Sequence, residues 1–148
     1  MANYAENRKA RFDYEIIEKY EAGIELIGNE VKSVRGGQMS LEGAFVIVRG
    51  GEAFLINANI PAYQIKNAPK DYDPLRNRKL LLTKKELIEL ADNDKNKSLT
   101  IVPISVYNKS RKIKVEVALV KGKKKFDKRE TIKKRETDRE IRREVKRG

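Results

Sequence analysis

Lys32 and Ser33 stand side by side, the residue types of a Ser/Lys hydrolytic pair. Adjacent side chains on a helix point to different faces, so these two cannot share a proton there. Asp71-Tyr72-Asp73 offers two carboxylates to a divalent ion. No third or fourth follows at the spacing of a Ca²⁺ loop, and a solvated loop is the better reading. Gly36-Gly37 and Gly50-Gly51 suit turns; neither belongs to a phosphate-loop or dinucleotide-binding pattern. The chain has no Cys and no His. That removes a disulfide framework, the usual Zn²⁺ ligands, the imidazole of a Ser-His-Asp site and the nucleophile of a Cys-His site. The expectation is a protein that is not an enzyme, with no catalytic residue, no metal and no cofactor.

The basic residues offer a different chemistry. Arg8-Lys9-x-Arg11, Arg76-x-Arg78-Lys79 and Lys84-Lys85 form three clusters. Glu30, Lys32, Ser33 and Arg35 surround a small apolar anchor of Val31 and Val34. From Lys121 to Gly148 there are fourteen Lys or Arg against six Asp or Glu, a net of +8 out of +12 for the 148 residues. Such asymmetry points to a polyanionic partner, with nucleic acid ahead of an acidic membrane. No apolar run approaches the ~20 residues of a membrane span. The opening MANYAENRKARF has no apolar core of a secretory signal, so the expected location is the cytoplasm. Tyr14, Tyr20, Tyr63 and Tyr72 are too scattered for a base-stacking platform. Recognition of a folded RNA by shape and phosphate fits better.

These residues need elements to hold them. YEIIEKYEAGIELIG, from Tyr14 to Gly28, reads as one long bent strand or two strands joined at Ala22-Gly23. GNEVKSVRGG suits one or two helical turns between glycines. AFVIVRGGEAFLINANI is a hairpin turning on Gly50-Gly51, and Pro61 to Pro74 is a loop. Arg78 to Leu82 suits a buried strand, after which Thr83 and Glu86 form a capping box for a short helix. SLTIVPISVY and KIKVEVALVKG make a second hairpin across Asn108 to Arg111. Ile113, Val115, Val117 and Leu119 give its last strand one buried face. Five or six antiparallel strands with one inserted helix suit a small closed barrel, as in an OB-fold, or a sandwich. Residues 1–120 would form that domain and 121–148 a basic tail. From Asp127 on, Ile132, Ile141 and Val145 are the tail's only large apolar side chains. The tail is therefore expected to be disordered when free and helical once phosphates neutralise it.

YEAGIELIGNEVKSVRGG, DPLRNRKLLLTKKEL, TIVPISVY and GKKKFDKRETIKKRE, in this order, strongly resemble the SmpB family. These are the small protein partners of transfer-messenger RNA (tmRNA), and the likeness runs over nearly the whole chain. The resemblance implies an OB-like antiparallel barrel with short helices. It also implies a role in trans-translation, the barrel holding the tRNA-like domain of tmRNA at its elbow. The tail would enter the vacant decoding site and messenger channel of a stalled ribosome.

Taken over position by position, Glu30, Lys32 and Arg35 become RNA-face candidates, joined by Arg8, Lys9, Arg76, Arg78 and Lys79 from the basic clusters. The resemblance assigns Lys123, Lys124, Asp127, Lys128 and Arg129 to the ribosome, and Lys125, Lys133, Lys134 and Arg135 extend that set. No membrane is involved, and the free protein is expected to be a monomer. The family often shows His where Tyr72 stands, and Tyr or His where Phe126 stands, so no single contact at either place is carried over. Two rival functions make different demands. A ribosomal protein or general OB-type RNA chaperone would show little preference among structured RNAs. A nuclease or RNA-modifying enzyme on a β-barrel would need a carboxylate cluster or nucleophile, and the sequence shows no sign of either.

Overall fold

In the computed structural model the described residues are 3–122, apart from 65, 67 and 95–97. The elements in chain order are β1 (Ala5–Glu6), α1 (Arg8–Asp13), β2 (Tyr14–Ile24), α2 (Gly28–Arg35), β3 (Phe45–Arg49), β4 (Glu52–Ile56), β5 (Arg78–Leu81), α3 (Lys84–Asp94), β6 (Leu99–Lys109) and β7 (Lys112–Gly122). All strand pairings are antiparallel, in the order β1-β6-β3-β4-β5-β2-β7, with β6 also pairing β7. That last pairing closes β6-β3-β4-β5-β2-β7 into a barrel, so the small closed barrel is found and the sandwich is not.

Local chemistry accounts for most of the elements. Gly50 and Gly51 carry φ of 58° and 76°, the mirror-image turn that a two-residue hairpin between β3 and β4 requires. Thr83 N–H donates to Glu86 Oε1 at 3.0 Å and Glu86 N–H to Thr83 Oγ1 at 3.2 Å, so the capping box opens α3. β2 is continuous through Ala22-Gly23, and its irregularity lies between Ile16 and Glu18 instead. Gly23 serves a different need. A Cβ there would stand 3.2 Å from Leu81 Cβ, so the glycine lets β2 and β5 approach. The irregularity in β6 falls beside Pro103, which has no N–H for the ladder.

Two elements were not anticipated. β1 adds to the edge of β6, and α1 is capped by Asn7, whose Oδ1 accepts from Ala10 N–H at 3.1 Å. Asn7 Nδ2 donates to Pro103 O at 3.0 Å, tying the helix to the barrel wall. α1 also changes the expectation for β7. Val115, Val117 and Leu119 face the main core, while Ala118 and Val120 are buried as well, in a second cluster with Ala10, Val102 and Ile104. A helix too short to leave a periodic signal covers the outer face. β7 also continues past the boundary expected at residue 120, since Lys121 pairs with Glu15 and Leu99, and Gly122 with Tyr14.

Candidate nucleic-acid interface

Helix α2 presents Lys32 and Arg35 to solvent and turns Glu30, Ser33 and Val34 inward. The helical period dictates the split: positions 30, 33 and 34 share a face, and 32 and 35 do not. Ser33 Oγ bonds the Gln38 side chain at 3.2 Å, away from exposed Lys32, which disposes of a Ser/Lys pair. In the Pro61 to Pro74 loop, Asp73 caps its own turn by accepting from Leu75 N–H at 2.9 Å, and Tyr72 points inward.

Glu30 is fully buried beneath α2 and is surrounded by donors. Its Oε2 accepts from Arg78 Nε at 2.8 Å, Arg78 Nη2 at 2.6 Å and Arg76 Nε at 3.0 Å. Its Oε1 accepts from Arg76 Nη2 and from Ile27 N–H at 3.0 Å, the latter closing the first turn of α2. Burial alone pushes this carboxyl's pKa up. The hydrogen bonds from Arg76, Ile27 and Arg78 outweigh burial and hold it below the usual carboxylate range. Arg78, also fully buried, spends its remaining donors on Ala58 O at 2.8 Å and Pro74 O at 3.0 Å. The Tyr72 hydroxyl lies 2.5 Å from Ile60 O and 3.1 Å from Glu30 Oε2 and accepts from Arg78 Nη2 at 3.2 Å. One carboxylate thus fastens α2, the start of β5 and the Pro61 to Pro74 loop together.

This geometry corrects the RNA-face assignment. Glu30 and Arg78 have no exposed side chain, so neither can touch an RNA on the surface. Arg76 is about one-third exposed, at 34%, and shares Glu30 with Arg78. Lys79 pairs with Glu52 at 3.1 Å. The cluster Arg76-x-Arg78-Lys79, so basic in sequence, is largely neutralised from within. Arg8, at 92% exposure, and Lys9 remain outward on α1. The candidates Lys123, Lys124, Lys125, Asp127, Lys128, Arg129, Lys133, Lys134 and Arg135 lie outside the described residues.

A concave surface lined by four cations lies elsewhere. A cleft of about 370 Å³ opens where β2 passes from β7 to β5. Its floor is apolar, formed by Ile24, Val31, Ile113 and Leu81, and Leu81 is 49% exposed. Arg35, Arg111, Lys112 and Lys114 line its rim. The β6–β7 turn that carries Arg111 uses φ of 50° at Ser110 and 65° at Arg111, left-handed conformations without glycine. Arg35 braces that turn by donating from Nη2 to Arg111 O at 3.1 Å. A two-residue hairpin between paired Lys109 and Lys112 requires both angles, here without glycine to ease them.

On the adjoining outer face Glu21 accepts from Tyr107 Oη at 2.6 Å and Lys109 Nζ at 3.1 Å. Those bonds, Tyr107 first, hold the Glu21 carboxyl below its usual range. Glu21 therefore stays ionised and paired beside the cations. Sequence reading passes over Arg111, Lys112 and Lys114, which stand as close together as the clusters it singles out, because it assigns them only to a hairpin. The signal was there as Lys109, Arg111, Lys112 and Lys114, four cations around one turn.

The SmpB protein family model matches residues 4–147 of the chain. An SsrA-binding protein of Ligilactobacillus salivarius (strain UCC118) is 51% identical over 142 residues, covering 96% of this chain and 91% of the relative. One from Gloeothece citriformis (strain PCC 7424) is 48% identical, covering 96% and 92%. Among solved structures, a chain from "tmRNA-SmpB: a journey to the center of the bacterial ribosome" superposes with a TM-score of 0.68 at 44% identity. It covers 86% of this chain and 92% of that one.

Proposed function

Because this chain belongs to the SmpB family, we propose that it is an RNA-binding adaptor of trans-translation. It binds the tRNA-like domain of tmRNA and delivers it to stalled ribosomes in the cytoplasm, without catalysing a reaction of its own. The observation that carries the RNA contact is the cleft: four cations around a partly exposed apolar floor, held on a closed barrel. Cations on such a rim gain affinity by releasing counterions from phosphates, and Arg adds planar stacking on unpaired bases. Lys32 extends this rim along α2. Glu30, Arg76 and Arg78 set the position of α2 and the neighbouring loop, and so act from below the surface. The tail, residues 123–148, supplies the ribosome contact, Lys123 to Arg129 first. The two halves together stand in for the anticodon arm that a tRNA-like domain lacks.

The test is binding to a tRNA-like-domain transcript against an unrelated hairpin at one fixed salt concentration. A clear preference for the former is expected, and equal binding would favour a general RNA chaperone. Substituting Lys112→Ala or Arg111→Ala should weaken binding and reduce the slope of log K against log[salt] by about one for each phosphate left without its cation. Lys79→Ala should change neither, because Lys79 is paired with Glu52.

A chain ending at Gly122 should keep its fold and most of its affinity for the tRNA-like domain, since it retains all the strand pairings of the described residues. Ending at Val120, by contrast, removes the pairings of Lys121 and Gly122 and should lower the unfolding midpoint slightly. Circular dichroism melts and RNA titrations of the two truncated chains check both expectations. Loss of most RNA affinity after Gly122 would place the main contact in the tail.

A further inference from the structure

A second groove, of about 360 Å³, runs between α1 and the opening of β3. It lies where the barrel wall is thinnest: β3 and β6 share a single register pair, Val46 with Ile101. Buried Ala10, Ala44 and Val102 contribute to its floor, and half-buried Tyr14 and Phe45 flank it. Small side chains below and two rings beside leave a slot suited to another flat apolar group. Lys9 and Asp13, one of each sign, line it from α1.

The described chain ends at this groove. Gly122 is paired with Tyr14, and Lys121 with Leu99, the neighbour of the lining residue Thr100. Whatever follows Gly122 therefore sets out from the groove's edge. The first large apolar residue after that exit is Phe126. Four residues of extended chain span about 13 Å, so reach does not limit its return. Its neighbours match the groove in charge as well: Lys123, Lys124 and Lys125 precede it, opposite in sign to Asp13, and Asp127 follows, opposite in sign to Lys9.

We infer that Phe126 seats in this groove in the free protein and anchors residues 123–127 against α1 and β6. The tail beyond Asp127 buries no apolar surface by this. Its root, however, is held at one place on the barrel, and a polyanion that takes up Lys123 to Arg129 must compete with the groove for the same segment. The inference stands on the groove and the chain's exit alone and holds whichever RNA the protein binds.

The test uses the full chain and methyl NMR. Phe126 ring protons should show NOEs to the methyls of Ala10, Ala44 and Val102. Phe126→Ala should shift those three methyls and leave Leu55 and Leu80, in the main core, unmoved. Because residue 126 takes part in none of the described strand pairings, this variant leaves them intact. Identical methyl shifts in both proteins, or NOEs that grow with protein concentration, would overturn the inference; the latter would put a second copy's Phe126 in the groove. Phe126→Trp gives an independent reading, since the chain contains no other Trp. Its emission should be blue-shifted relative to a 121–148 peptide carrying the same substitution, and equal emission would also overturn the inference.

Discussion

Replacing Glu30 by alanine is expected to destabilise the barrel by ~3–5 kcal/mol, the scale for removing one partner of a buried ion pair. The cause is what remains behind. Arg78 is fully buried and loses the acceptor of its Nε and the carboxylate partner of its Nη2, which keeps only the neutral Pro74 O and Tyr72 Oη. Ile27 N–H at the head of α2 loses its partner too. The urea midpoint of Glu30→Ala against the parent measures this, with RNA affinity taken only under conditions where both are folded. Removing both charges by Glu30→Met with Arg78→Met should cost less than Glu30→Ala alone, because no orphaned buried charge is left. If Glu30→Ala unfolds at the parental midpoint and only RNA binding suffers, the carboxylate reaches the ligand and its structural role is wrong.

The same carboxylate sets an acid limit. Its pKa in the folded protein lies below the usual carboxylate value, because donors from Arg76, Ile27 and Arg78 overcome the opposing effect of burial. A depressed folded pKa contributes stability that is fully present above the unfolded value and is lost as pH falls through the folded one. The parent should therefore lose stability more steeply than Glu30→Gln as pH falls below the ordinary carboxylate range. Parallel stability–pH curves for the two would remove Glu30 from that role.

Ile132→Pro is expected to abolish ribosome rescue while leaving tmRNA binding unchanged. From Asp127 to Val145 helix formers dominate, and Asp127 and Glu130 are spaced as a capping box. A proline within a helix costs ~3 kcal/mol or more, and this one leaves the tail's net charge untouched. On the proposed reading the ribosome-bound tail is helical there, with phosphates quieting Lys and Arg repulsion and accepting charge-assisted hydrogen bonds. The substitution thus separates shape from charge. A rescue assay with the full chain reads the outcome, and rescue at the parental rate would mean that charge alone suffices.

The sequence by itself determined the parts whose causes are local. Gly50-Gly51 between two strand-forming runs allows the positive φ of a mirror-image turn, and Thr83 with Glu86 closes a helix start within four residues. The alternation along β7 assigns one face to the core, and the +8 tail declares a polyanionic partner without any fold. The motifs around EVKS and DKR carried the family.

Only the tertiary structure decided where the charges of the body end up. Glu30 and Arg78 both read as surface residues of basic segments. They are 48 positions apart, and only closure of the barrel puts them in contact and out of water. Arg35 and Arg111 read as unrelated, and the fold sets one to brace the other's strained turn. The reason is the same in each case. Hydrogen-bond periods and turn conformations act over a few residues and leave a local pattern, whereas burying a charge depends on which distant partners the closed sheet brings within about 3 Å.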